Sequence, residues 1–239
     1  MSETARVKRR GVLVAGLAVG AIALLSPLHH LGQQLFTAHM IQHEVLMLIA
    51  APLIIAGRPN IVAAWLLPRS WSTLGARFGR SAAWRIVASP AGAWGIHAVV
   101  LWGWHYPGAF EATLRSDLWH GLQHFSFMAT ALLFWWSVAP WRPGIHRRGT
   151  QLLSIFSTLM HTGFLGVLLT FASRPWYPAY GGRPLAYGLT PLEDQQLGGL
   201  IMWVPAGLVY VAAGLWLMWR WLRAGEQRAA IRQRAIAET

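Results

Sequence analysis

The sequence predicts an all-α fold: a polytopic membrane helical bundle of about six transmembrane helices, with both termini cytoplasmic. Three observations lead there. Hydrophobic residues make up 55% of the 239 and charged residues only 12%, against about 25% charged in soluble domains. The apolar residues gather in runs near the ~20 residues that a bilayer requires. Finally, 17 of the 20 Lys and Arg residues fall on alternate connections, and only Arg115, Arg174 and Arg183 fall on the others. That alternation is the signature of loops sorted across a membrane, with the basic side cytoplasmic.

The elements follow in order as a single membrane domain, 1–239. Met1–Arg10 is polar and carries Arg6, Lys8, Arg9 and Arg10. The apolar run Gly11–Leu28 reads as a cleaved signal peptide or a retained first helix; either delivers the chain to the outer side near His29 and His30. The second span is Phe36–Gly57. Its inner connection, Arg58–Arg85, holds short interfacial helices with Trp65 and Trp71 at the lipid boundary. Later spans are Ile86–His105, Asp117–Ala139, Gln151–Ala172 and Gln196–Arg220. A basic cytoplasmic tail, 221–239, closes the chain and reads as a short basic helix, a solvated anchor. Pro52, Pro90 and Pro205 lie where they kink spans or mark their ends. The outer connection Ser173–Gln195 is rich in Pro, Gly and Tyr and suits a lid or a docking surface.

Composition also excludes some chemistry. Cys is absent, so thiolate ligands and disulfides are ruled out and His, Met and carboxylate are left. The net charge of +12 belongs to topology-setting loops rather than to nucleic acid. The 15 Trp residues, many at span ends, suit an interfacial belt in contact with the lipid bilayer.

The histidines gather on the side opposite the arginines. His29, His30 and His105 lie at outer ends of spans, while His97 and His161 lie nearer the middle. His39 and His43 in the second span and His120 and His124 in the fourth stand in a repeated pattern, H-x-x-Q-H-x-x-x-M, ending at Met47 and Met128. Both copies run inward from the outer edge. At ~1.5 Å rise per residue the pairs match in depth, and four imidazoles converge if the helices are neighbours. Ionisable groups inside a membrane mark functional sites. Imidazole suits copper, zinc and iron, and thioether favours Cu(I), so copper fits the set best. Glu44, Glu193 and Asp194 are candidate ligands or acceptors that fix imidazole tautomers. His105, His161, Met47 and Met128 are further candidates, although Met at helical spacing more often packs than ligates. Gln42 and Gln123 are placed to hydrogen-bond across the bundle.

Several ordered stretches carry a family likeness: HMIQHEVLMLIAAPLIIAGRP, LWGWHYPGAF, LWHGLQHFSFMATALLFWW, and WYPAY followed by LTPLEDQQLGGLIMWVPAGLVY. From about Phe36 to Tyr210 the chain resembles the CtaG-like cytochrome c oxidase assembly factors of the multi-span type. The resemblance implies a non-enzymatic, multi-pass protein of the bacterial inner membrane that helps mature haem–copper oxidase by copper supply. Its motifs fall on His39 and His43, on Trp104 through Pro107, on His120 and His124, and on Asp194 through Gln196. Haem–copper oxidase subunits are then the implied partners, and a homo-oligomer stays open.

Three other readings compete. Bis-His ligation of haem would use facing helices, with Gly198 and Gly199 giving ring clearance. A membrane di-metal enzyme also uses H-x-x-x-H pairs, but it needs more ligands and a cytoplasmic site. A purely structural polar network would hold the helices together without metal.

Overall fold

The structure, a computed structural model, describes residues 3–58, 75, 77–141 and 145–237, which are helical with no strand among them. The expected interfacial helices around Trp65 and Trp71 lie outside the described residues. Helix α1 (Glu3–Leu25) begins within the basic segment rather than at Gly11, because Lys and Arg are good helix formers. Ser26 then turns the chain into α2 (Pro27–Gly32), its hydroxyl accepting from Leu28 N–H at 3.3 Å with Pro27 in the first turn.

The second long element runs without a break as α3 (Phe36–Glu44), a π-helical turn (Val45–Ala50) and α4 (Ala51–Ala56). Pro52 explains the wide turn. Ala51 N–H bonds to Leu46 C=O, five residues back. Pro52 has no N–H, so it supplies no partner for the next carbonyl, that of Met47. The indole N–H of Trp135 fills the gap, donating to Met47 C=O at 2.8 Å.

Helix α5 (Ala82–Val87) and helix α6 (Pro90–His105) are separate, each started by a serine cap. The expected span at Ile86 is therefore broken at Ala88–Ser89 and starts at Pro90. Tyr106, held in extended backbone before Pro107, separates α6 from α7 (Pro107–Arg115). Helix α8 is Asp117–Ser137 and α9 is Ile145–Thr170. Two short 3₁₀ turns, Pro178–Tyr180 and Arg183–Tyr187, shape the next connection. Helix α10 (Pro191–Ala237) has 47 residues. The sixth span and the basic tail are thus one continuous helix, and Pro205 does not end it.

Among the described residues, three helices are long and apolar enough to cross a membrane on length and composition: Phe36–Ala56, Arg148–Thr170 and Pro191–Arg234. The chain is accordingly an all-helical membrane protein. Helix α6 has 16 residues, α1 opens with basic turns, and α8 carries the polar group His120, Gln123 and His124; these features keep all three from standing out by composition.

Packing closes a ring. Helix α10 lies between α9 and α3; α4 meets α8; α8 meets α6; and α6 returns to α9, while α1 lies against α4 and the π turn. Glycine allows two of these approaches. A Cβ on Gly199 would stand 2.7 Å from Thr170 N and 2.8 Å from Gly166 O, and one on Gly16 would stand 2.7 Å from Ile54 N. Small residues at such crossings let backbones touch, which drives helix association where no water is present.

Candidate metal centre

The repeated pattern sits on α3 and α8, and the ring brings its two copies together. Each histidine pair is one turn apart on its own helix, so its rings lie close together on one face, His39 edge-on to His43 and His120 tilted against His124. His39 and His43 centroids are 4.3 Å apart, and those of His120 and His124 are 4.4 Å apart. Between helices, His39 lies 5.1 Å from His120, and His43 lies 5.1 Å from His124. All four side chains are buried, His39 and His43 at 0% and 1% exposure.

Most of their nitrogens are unpartnered. His39 Nε2 meets Gln123 Oε1 at 3.0 Å. His39 Nδ1, both ring nitrogens of His43, and Nε2 of His120 and His124 have no hydrogen-bond partner among the described residues. Buried polar atoms are ordinarily satisfied, so this cluster of orphaned nitrogens is a candidate donor set for a cation. Among the described residues, two groups can offer ligand atoms within 4.8 Å of one another: His39, His43 and His124, and His29, His120 and His124.

An aromatic layer closes the centre. Phe110 lies 4.9 Å from His39, and Phe127 lies 4.7 Å from His43. Tyr177 lies tilted against Phe110 at 4.2 Å and stacks on Phe36 at 5.0 Å. The connection Ser173–Gln195 is tied down over this layer by hydrogen bonds. Tyr177 O–H donates to His105 C=O at 2.9 Å, and Tyr180 O–H donates to Gly32 C=O at 3.0 Å. Arg183 donates to Gln33 C=O at 2.7 Å, and Ala179 N–H donates to Glu111 at 3.1 Å. Burial pushes both tyrosine hydroxyls above their ordinary range, so they remain proton donors at neutral pH.

Comparison with known proteins decides the family. The cytochrome c oxidase caa3 assembly factor family matches residues 2–224. The chain belongs to that family. Uncharacterized proteins of Mycobacterium bovis and Mycobacterium tuberculosis are each 24% identical to it over 96% of its length, and so is one of Mycobacterium leprae. The chain spans only 36% of the length of the first two and 37% of the third. No solved structure matches it.

Within this caa3 assembly factor family member, the other candidate residues take different places. Asp194 accepts the N–H groups of Phe36 and Thr37 at 2.7 and 3.0 Å. It caps α3, so it places His39 and His43 rather than joining them. Glu193 is exposed and forms a capping box with Thr190, accepting from its N–H at 2.8 Å and from its hydroxyl at 2.7 Å. The ligand role considered for these two carboxylates gives way to capping.

Glu44 belongs to neither histidine group, and one of its carboxyl oxygens has no partner among the described residues. Met47 packs in the core, and the methyl end of Met128 faces Gly20 of α1. His105 Nδ1–H donates to Leu101 C=O, 2.8 Å away, and the ring adjoins the centre through Phe110 and Phe127. His161 lies elsewhere, accepting from Trp102 and facing Trp94. His97 is bonded to Thr130 at 3.0 Å. Gly198 and Gly199 give clearance to Phe36 and to the backbone of α9, not to a haem ring.

His29 is the residue that the sequence undervalued. It reads as interfacial, yet its ring stacks on His120 at 4.9 Å and lies 6.1 Å from His124. The signal available was its position on the same outer side; the turn at Ser26–Pro27 that aims it inward was not foreseen.

Proposed function

We propose that this chain is a non-enzymatic assembly factor for cytochrome c oxidase, holding copper at a histidine centre and supplying it to an oxidase subunit. It would cross the bacterial inner membrane six times as one domain, with both termini cytoplasmic, so that the centre opens toward the outer face. The observation that carries the metal reading is the convergence of His39, His43, His120 and His124 with their unpartnered nitrogens. Imidazoles without thiolate suit copper among the metals a bacterium supplies to its oxidases. Family membership supports the oxidase as recipient, and the charge alternation supports the orientation.

The packing favours a metal ion over haem. A haem needs a slot for its macrocycle between two axial ligands. Here the rings approach to 4.3–5.1 Å, with Phe110 and Phe127 beside them.

The test is metal analysis of the purified full chain beside a His43→Ala/His124→Ala double variant. Copper in the wild type and none in the double variant supports the reading. A wild type that takes up no copper, or a double variant that keeps it, refutes it. A Soret band in the wild type would instead select haem.

A further inference from the structure

The five imidazoles form two overlapping triads rather than one shell. His39, His43 and His124 are all buried, whereas in the triad of His29, His120 and His124 the first residue is half-buried. His124 belongs to both. We infer that a single cuprous ion moves between two stations, an entry station at His29, His120 and His124 and a holding station at His39, His43 and His124, with His124 bound throughout. This rests on the copper reading above and adds a route to it.

The shared ligand is the first argument. An ion that let go of every ligand in apolar surroundings would be a bare buried charge, which is very costly. Keeping one ligand while exchanging the other two avoids that state. In the step, bonds from copper to His29 and His120 are replaced by bonds to His39 and His43. The ion stays Cu(I), and no electron or proton is gained or lost.

Charge is the second argument. Neither triad contains a carboxylate, and neutral imidazoles offset no positive charge. Two cations sharing His124 would repel each other strongly at low dielectric, so the stations are filled alternately.

Access is the third. His29 stands on α2, a short helix outside the closed ring, beside the exposed His30 at 5.8 Å. The holding triad lies deeper, against Phe110 and Phe127, which are fully buried. Gln42 ties the two together: its amide donates to Ala23 C=O at 2.7 Å and lies 3.4 Å from His29 Nδ1. The same α3 that carries His39 and His43 thereby sets the position of His29.

The experiment loads the full chain in detergent with Cu(I) and follows transfer to bathocuproine disulfonate by absorbance. The wild type is expected to hold one copper per chain. His29→Ala is expected to keep that copper but release it roughly tenfold more slowly, a size typical of losing one supporting group at a metal site. His29→Gly is expected to be equally slow and to regain speed with free imidazole, a rescue that misfolding would not allow. Two coppers per wild-type chain, wild-type release from His29→Ala, or no rescue by imidazole would each overturn the two-station route while leaving the copper centre in place. A wild type that binds no Cu(I) removes both.

Discussion

Replacing Asp194 with alanine tests whether the histidine helix is held from outside itself. The N-cap residue of α3, Leu35, has no side chain able to accept a hydrogen bond. The first N–H groups of that helix go instead to the Asp194 carboxylate at 2.7 and 3.0 Å, at 1% exposure. A hydrogen bond to a charged acceptor is worth about 1.5–3 kcal/mol, so losing two predicts a destabilisation of about 3–6 kcal/mol. The bond from Thr37 Oγ1 goes to the Asp194 backbone carbonyl at 2.9 Å and survives the change. At about 2–4 °C per kcal/mol for a chain of this length, the melting midpoint of Asp194→Ala should fall by about 6–24 °C. Asp194→Asn keeps one acceptor and should fall by about half as much. Circular dichroism melts in detergent measure both. An alanine variant melting within about 2 °C of wild type would refute the capping argument. Copper content adds a second arm: Asp194→Asn, kept below its midpoint, should bind copper like wild type, and loss of copper with the fold intact would return Asp194 to the ligands.

Gln123→Leu leaves His39 Nε2 without its partner at 3.0 Å and should weaken copper binding about 10–100-fold, measured by competition with a Cu(I) chelator, with the helical signal unchanged. Trp135→Phe orphans the buried Met47 carbonyl and should cost about 1–3 kcal/mol, read from thermal melts. Gly199→Ala places a Cβ 2.7 Å from Thr170 N, forces α9 and α10 apart, and should cost about 1–3 kcal/mol in the same assay.

What the sequence made legible was periodic or repeated. Apolar runs located the helices, because burying backbone polar groups in lipid requires a helix and leaves an unbroken apolar stretch. The H-x-x-Q-H-x-x-x-M repeat located both histidine pairs, because equal spacing on two helices entering from one side gives equal depth. Residues whose use depends on another helix were not legible in this way. Glu193 and Asp194 look alike in sequence, yet one caps its own helix and the other caps a helix far away in the chain. His29 joins the histidines only because α2 turns it inward. The continuity of α10 through Pro205 into the basic tail was hidden because the change from apolar to charged reads as a boundary, though nothing in the backbone stops there.

Pro52 shows why the centre and the fold cannot be considered apart. A proline at that point denies a donor to the preceding turn, and the helix responds by widening into the π turn Val45–Ala50 directly after Glu44. Wide turns of this kind often sit beside functional sites, since they free a carbonyl and change which face the next residues present. Here the freed carbonyl of Met47 is taken by Trp135, which stands on α8, the helix carrying His120 and His124. The bond therefore links the two histidine helices below the imidazoles, while Asp194 fixes the start of α3 above them. His39 and His43 are held between two anchors that come from other helices. An imidazole set that must grip and release an ion gains most from such support, because its rings keep their positions while their nitrogens stay unpaired.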